Sequence, residues 1–388
     1  MENFVYQNPT KIIFGKKTIP LIGQETKAFG NRVLLVYGSG SIKKNGVFEQ
    51  VVNSLQAAGI EIVEHGGVRS NPVLSHVQEG IIKARQGDCK GICAAGGGSV
   101  IDTAKAIAAG VLANHDVWKF FTGKKSLRTT LPVTCVLTLA ASGSEMNSGM
   151  VLTREDTGQK LGYANRFLYP KVSILDPEST YTVPADYTAY GAVDALAHVL
   201  EFYCTTQVFA PVQDRLMEGL AANAMESCRD VLNAPRCYAA RANLMWTATL
   251  ALNGLTAVGL GKVGFPMHLI EHSLSGLFDI PHGAGLAALI PGFLTFFSQY
   301  NPTRLAQFGR RVFNLPADSE EKTAMVAIGR ISQWLEDIHV PKCLSELRIE
   351  SHQLADIAAH TQALARIWRM REYSEEHVRT ILSRCLSD

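Results

Sequence analysis

The 388-residue chain has no run of about eighteen uninterrupted apolar residues, which argues against a membrane-spanning helix. Its first twenty residues alternate polar and apolar types around Asn8-Pro9 and Lys16-Lys17. They carry no secretory apolar core, so a cytoplasmic location is expected. Charge of one sign is scarce too: the formal net charge is +2, with Lys and Arg dispersed, which speaks against nucleic acid or an anionic membrane as partner. A disulfide frame is missing. The eight cysteines (Cys89, Cys93, Cys135, Cys204, Cys228, Cys237, Cys343, Cys385) are scattered in mostly apolar surroundings, as free thiols in a reducing compartment are. Cys89 and Cys93 would read as half of a metal site only with a second half, and that is missing.

What is present is a large core. Hydrophobic residues are 47% and charged residues 19% of a chain longer than a single core usually supports, so two domains are expected. Lys11 to Gly15 reads as a short strand, and Arg32 to Tyr37 as a continuous apolar run, the pattern of a strand covered on both faces of a parallel sheet. A helix to Gly59, a strand I-E-I-V-E-H, a loop at Asn71-Pro72, a helix to Arg85 and a strand at Gly91 to Ala95 follow. This alternation predicts an α/β domain over residues 1–180. Beyond it strand signals nearly vanish, and residues 181–388 are expected to be all-helical.

The glycine-rich turns of the first domain carry chemistry. Gly96-Gly97-Gly98-Ser99 leaves a strand and enters the helix V-I-D-T-A-K, where close backbone approach and unpaired N–H groups at a helix start suit a pyrophosphate. Asp102 and Lys105 sit in its first turns. The sequence is not G-x-G-x-x-G, and a tight turn without ligand remains the alternative. The Arg32 to Tyr37 strand ends in Gly38, Ser39, Gly40 and Ser41, with Lys43 and Lys44 beyond. No acidic residue stands there to repel a 2′-phosphate, so NADP is expected, with NAD as the alternative. Thr138 to Glu145, T-L-A-A-S-G-S-E, is a third cluster of small and hydroxyl residues, lining a cofactor or simply capping a turn. Lys160, in D-T-G-Q-K, closes a predicted hairpin as a cofactor contact or a surface charge.

The stretch from Asp194 to His282 holds a second constellation. Asp194 and His198 lie four apart in an apolar segment, and His268 and His272 repeat the spacing, so each pair projects from one helical face. His282 follows a proline and precedes a glycine, which places it on a loop past a helix end. Burying so many polar groups without a common partner costs several kcal/mol, and a bound cation removes that cost. One carboxylate with imidazoles suits a divalent transition metal such as Fe2+ or Zn2+. Five candidates exceed a four-ligand shell with an open position; one must stand behind the others, and spacing does not say which.

Together, G-G-G-S-V-I-D-T-A-K, T-L-A-A-S-G-S-E, I-L-D-P, D-A-L-A-H-V-L-E-F-Y and H-L-I-E-H-S-L-S-G-L-F-D-I-P-H-G resemble the iron-containing (group III) alcohol dehydrogenase family. The likeness runs from K-I-I-F-G through at least Pro291, and Y-G-S-G-S-I-K-K-N-G-V is similar to its butanol dehydrogenase and NADPH-dependent aldehyde reductase branch. The resemblance implies a Rossmann-like dinucleotide-binding domain and an all-helical metal-binding domain, as in dehydroquinate synthase-like folds; a homodimer is expected. It implies Asp194, His198, His268 and His282 as metal ligands and His272 as a proton relay. It also implies cofactor contacts from Gly38, Ser39, Gly40, Ser41, Asn71, Gly97, Gly98, Ser99, Asp102, Thr138, Leu139 and Ser144. Two departures stand out: Ala141-Ser142-Gly143-Ser144-Glu145 replaces G-T-G-S-E, and Gly264-Phe265-Pro266 replaces an Asp-Trp pair ahead of the first metal histidine.

The implied chemistry is hydride transfer between a nicotinamide and a small alcohol or aldehyde, with the cation polarising the substrate oxygen. A dehydroquinate synthase-like lyase would want Lys and Arg around the metal, and the Asp194 to His282 window offers only Lys262. The remaining alternative is a nucleotide- and metal-binding protein without turnover.

Overall fold

A computed structural model describes residues 1–387. Eight strands and the helices between them form two compact units. One comprises Gln7–Val183 and Pro235–Thr249, the other Met1–Tyr6, Pro184–Ala234 and Leu250–Asp388. The chain thus passes between units at Val183, but the 235–249 segment and the first six residues each belong to the unit that sequence order would not give them. Thr249 shows why the former does: its hydroxyl donates to the buried Glu145 carboxylate at 2.5 Å.

The first unit is built on strands β1 (Lys11–Phe14), β2 (Arg32–Gly38), β3 (Glu61–Val68), β4 (Gly91–Gly96), β5 (Val133–Leu137) and β8 (Val172–Leu175), between which β6 (Gly149–Arg154) and β7 (Gln159–Ala164) form a separate antiparallel hairpin. The six are all parallel, in the order β1-β8-β5-β4-β2-β3. Leu34 and Val36 of β2 are as fully buried as Val33 and Leu35, which is why the run is apolar without alternation. On one face, Val47, Val51 and Leu55 of the Val47–Ala57 helix, spaced by four, dock on Val33, Leu35 and Tyr37. Each such side chain contributes about 1.5–3 kcal/mol by burial.

Parallel pairing sets the ends of β5, β4, β2 and β3 side by side, so the turns leaving their carboxyl ends share one edge of the sheet. Ligands of open α/β sheets bind at that edge.

The second unit is helical. The Ala185–Thr205 helix is buried at every position from Gly191 to Cys204, the mark of a central helix rather than a surface one. Proline opens the Pro211–Asn233, Pro266–Phe278 and Pro302–Val312 helices at a position that needs no N–H donor. Arg304 donates two hydrogen bonds to Asp214, at 2.8 and 2.7 Å, and locks the third of these onto the first. No helix among the described residues is long and apolar enough to cross a membrane.

Candidate metal centre

Helical periodicity puts Asp194 and His198 on one face of the Ala185–Thr205 helix, and His268 and His272 on one face of the Pro266–Phe278 helix. His282 departs from the loop position expected of it. It is the first residue of the next helix, His282–Ser298, with Pro281 as N-cap. Asp279, at φ 51°, turns the chain between the two helices, and Pro281 supplies the extended entry from which the helix can restart at once. Gly283 must follow, because a Cβ there would lie 2.4 Å from the Tyr190 carbonyl oxygen.

These elements converge on one atom. Asp194 Oδ1 lies 3.4 Å from His198 Nε2, 3.5 Å from His268 Nε2 and 3.6 Å from His282 Nε2. Asp194 Oδ1 and His268 Nε2 are buried without any hydrogen-bond partner, although Asp194 is only 3% exposed. Unpaired polar atoms at such depth cost about 1–3 kcal/mol each. A divalent cation among one carboxylate oxygen and three imidazole nitrogens would satisfy them together, so the donor set fits the implied metal.

Two glutamates that sequence reasoning did not single out stand behind the imidazoles. Glu201, seven residues beyond Asp194 and fully buried, takes His268 Nδ1 on one carboxylate oxygen. Its other oxygen accepts the backbone N–H of Met267 and, at 3.2 Å, that of His268, capping the start of the Pro266–Phe278 helix. Glu271, also fully buried, takes His282 Nδ1 and the Ser275 hydroxyl. Each carboxylate fixes the tautomer that leaves Nε2 bare toward Asp194. His198 differs: its Nδ1 is buried with no partner.

The charges respond accordingly. Burial alone would raise the Asp194 carboxyl, but His198, His268 and His282 outweigh it and hold the group well below the usual carboxylate range. Burial pushes the His198 imidazole down, against the pull of Asp194. Burial also works against a charge on His268, yet Glu201 and Asp194 carry it upward.

His272 is buried, and it groups with Glu271 and His282, whose possible ligand atoms lie within 4.8 Å of one another. Its ring meets His282 at 5.9 Å and Trp368 at 4.9 Å, both edge to face. Phe265, in the segment where the chain departs from the family pattern, packs edge-on against His268 at 5.4 Å and His198 at 6.5 Å.

In the α/β unit the other candidates gather at the sheet's carboxyl edge. Gly38 ends β2, Ser39 and Gly40 turn, and Ser41 opens the short Ser41–Lys44 helix. Gly97 caps the Gly98–Val111 helix, and the Thr138 N–H donates to the Gly96 carbonyl at 3.0 Å, setting Thr138 and Leu139 beside it. A Cβ on Gly98 would lie 2.1 Å from Ser142 Oγ, so only glycine permits this approach of helix and loop. Ser99 donates its hydroxyl to the Ser70 carbonyl. Asp102 is buried, its carboxyl pushed up by that burial, and accepts Ser144 Oγ at 2.6 Å and the Val151 N–H at 3.0 Å. Both oxygens thus hold the chain's own groups.

Lys160 is no surface charge. Only 4% exposed, it donates to Asn71 Oδ1 at 3.2 Å, because the β6–β7 hairpin leans on the loop after β3 through the Thr153 N–H and the Pro72 carbonyl, 2.8 Å apart. Lys43 does not stand free beyond β2 either. It lies over the Tyr37 and Phe48 rings, 3.8 Å from Glu64 of β3, whose carboxylate also accepts the Tyr37 hydroxyl at 2.7 Å.

Comparison with known proteins decides the lineage. Residues 9–177 match the family model for iron-containing alcohol dehydrogenase, and residues 188–386 the model for the C-terminal part of the Fe-containing alcohol dehydrogenase family. The chain belongs to the iron-containing alcohol dehydrogenase family. Among relatives of this family, a probable NADH-dependent butanol dehydrogenase 1 of Bacillus subtilis is 39% identical over the whole of both chains. The NADPH-dependent aldehyde reductase YqhD of Escherichia coli is 36% identical over 91% of each. The crystal structure of NADH-dependent butanol dehydrogenase A from Thermotoga maritima superposes with a TM-score of 0.96 at 41% identity, covering 100% of this chain and 99% of that one. The predicted fold class, a parallel α/β part followed by a helical part, is that of this iron-containing dehydrogenase family.

Proposed function

We propose that this chain is a metal-dependent alcohol dehydrogenase and aldehyde reductase that transfers hydride between NAD(P) and a small primary alcohol or aldehyde of butanol or butanal type. Family membership makes it an alcohol dehydrogenase of the CH–OH class. Residues 1–180 would carry the dinucleotide and residues 181–388 the metal. The observation that carries the reading is the convergence of three imidazole Nε2 atoms on an unpaired, buried Asp194 oxygen.

Asp194, His198, His268 and His282 would hold one Fe2+ or Zn2+, which when bound supplies Lewis-acid polarisation of the substrate oxygen. Glu201 and Glu271 orient His268 and His282, so that the imidazoles need no rearrangement as charge develops. His272, beside His282, would pass the alcohol proton onward. Phe265 packs edge to face against both His198 and His268 and adds apolar surface beside them. In the other unit, Gly97, Gly98 and Ser99 would cradle the pyrophosphate and Gly38 to Ser41 the adenosine ribose. Thr138, Leu139, Ser144, Asn71 and Lys160 would line the rest, with Asp102 shaping the cradle through Ser144.

NADP is the preferred nicotinamide on the absence of a carboxylate among Gly38 to Ser41, with NAD accepted because Lys43 is engaged by Glu64. A cytoplasmic homodimer completes the reading, and light scattering checks the latter. The deciding experiment assays anaerobically purified, metal-analysed protein against butanal and other aldehydes with both nicotinamides. Turnover that disappears with the metal supports the reading; metal and cofactor binding without turnover of any alcohol or aldehyde overturns it.

A further inference from the structure

The loop that carries Asn71 is held at both ends by one carboxylate. Glu155 lies in the turn of the β6–β7 hairpin. Its Oε1 accepts the Ser75 hydroxyl at 3.0 Å and stands 3.6 Å from the Arg69 guanidinium, and its Oε2 accepts the Ser75 backbone N–H at 3.3 Å. Arg69 is the first residue after β3, and Ser75 is the second residue of the Leu74–Gln86 helix, so the carboxylate spans the segment between them.

That helix cannot cap itself. Its N-cap is Val73, in extended backbone, whose side chain has no oxygen to accept an N–H of the first turn. A carboxylate from a turn eighty residues away supplies the acceptor and meets the partial positive charge of the helix start.

The same loop is tied on two more sides. The Thr153 N–H donates to the Pro72 carbonyl at 2.8 Å, and Thr153 stands opposite Lys160 in the hairpin, while Lys160 donates to Asn71 Oδ1 at 3.2 Å. The Ser70 carbonyl accepts the hydroxyl of Ser99, in the first turn of the helix that Gly97 caps. Asn71 thus lies between the two residues that Glu155 grips, and Lys160 lies across the hairpin from the strand that Glu155 extends.

We propose that Glu155 is a positioning residue for the nicotinamide cofactor, which it serves by fixing hairpin and loop against each other and so setting the Lys160–Asn71 pair. The inference rests on the reading above of Asn71 and Lys160 as cofactor contacts. The Glu155 side chain is 42% exposed, so its replacement empties no core.

The test titrates NADPH and NADH, followed by nicotinamide fluorescence, into the metal-loaded native enzyme and its variants. Glu155→Ala should weaken nicotinamide binding roughly three- to tenfold and raise the nicotinamide KM in step, while kcat at saturating cofactor and metal content hold. Glu155→Gln, which keeps an oxygen for the Ser75 N–H, should recover part of the loss. On a Lys160→Met background, where the pair is already broken, Glu155→Ala should cost less than about twofold. An unchanged Kd in Glu155→Ala, with or without a lowered Tm, would leave Glu155 a helix cap alone and overturn the proposal. So would a loss on the Lys160→Met background as large as in the native chain. Coupled losses of binding in an enzyme that turns over no alcohol or aldehyde would uphold Glu155 and remove the dehydrogenase reading; normal turnover with an unchanged Kd would do the reverse.

Discussion

The two candidate sites are built on opposite plans. Around Asp194, three imidazole Nε2 atoms lie 3.4 to 3.6 Å from one carboxylate oxygen, and that oxygen and His268 Nε2 are buried with no hydrogen-bond partner. At the sheet edge, the polar side chains are already spent: Asp102 holds Ser144 and the Val151 N–H, Ser99 holds the Ser70 carbonyl, and Lys160 holds Asn71. There the side chains brace a loop framework around the glycines that follow β2 and β4. A cation needs ligand atoms placed in advance, whereas a dinucleotide phosphate can be held by peptide N–H groups.

The contrast is broken most severely by His268→Ala. The variant should lose its metal and with it at least about a thousandfold of activity, since it removes a ligand and leaves Glu201 buried without its imidazole. Metal analysis beside steady-state rates checks this, and full metal content with full turnover would show that His268 is not a ligand. Glu201→Gln is milder. The fold and the ligand count survive, but the oriented imidazole and part of the helix cap do not, so metal affinity should fall 10- to 100-fold, as roughly expected for a group behind a ligand. Competition with a chelator measures it, and an unchanged affinity would reduce Glu201 to a cap.

Glu201 also marks where reading the sequence ended. The histidines were legible because a spacing of four maps onto one helical face whatever the tertiary structure. A glutamate in L-E-F-Y reads as a charge on a helix surface, and its task depends on His268, sixty-seven residues away. The only local hint was its position inside an unbroken apolar run, shared by Glu271 in L-I-E-H. Lys160 was similarly hidden, because its burial follows from the hairpin leaning on the 70–73 loop. The parallel sheet was readable from β2, whose burial on both faces writes itself as uninterrupted Val and Leu. The 235–249 segment was not, since only its contact with Glu145 assigns it to the α/β unit.

On the α/β side the same comparison predicts effects on framework, not on metal. Asp102→Asn can keep the Val151 N–H on its oxygen and turn its NH2 toward the Ser144 hydroxyl, but both bonds lose their carboxylate acceptor, costing about 1 kcal/mol. A melting temperature lowered by a few degrees with metal content unchanged is expected; metal loss would show the two sites to be interdependent. His65 adds a pH term in this unit. Burial pushes its imidazole down to about 4 against an ordinary 6.5, so the unfolded chain binds a proton there that the folded chain refuses. Its contribution is complete above pH 6.5 and is lost as pH falls toward 4, on the order of 2 kcal/mol in all. His65→Gln should flatten that part of the stability profile, and an identical profile would refute the assignment. The smallest effect belongs to Glu64→Gln, which releases Lys43 from an exposed ion pair. The ratio of kcat/KM for NADPH over NADH should rise by a factor of about two to five, and a fall would place Lys43 away from the ribose.

The central claim is that one divalent ion sits among the four donors of the helical unit. An anomalous difference map from crystals of the anaerobically purified, metal-loaded protein tests it most directly. It should show a single peak about 2.0 to 2.2 Å from Asp194 Oδ1 and from Nε2 of His198, His268 and His282. No peak there, or a peak elsewhere with these atoms left unbridged, would contradict it.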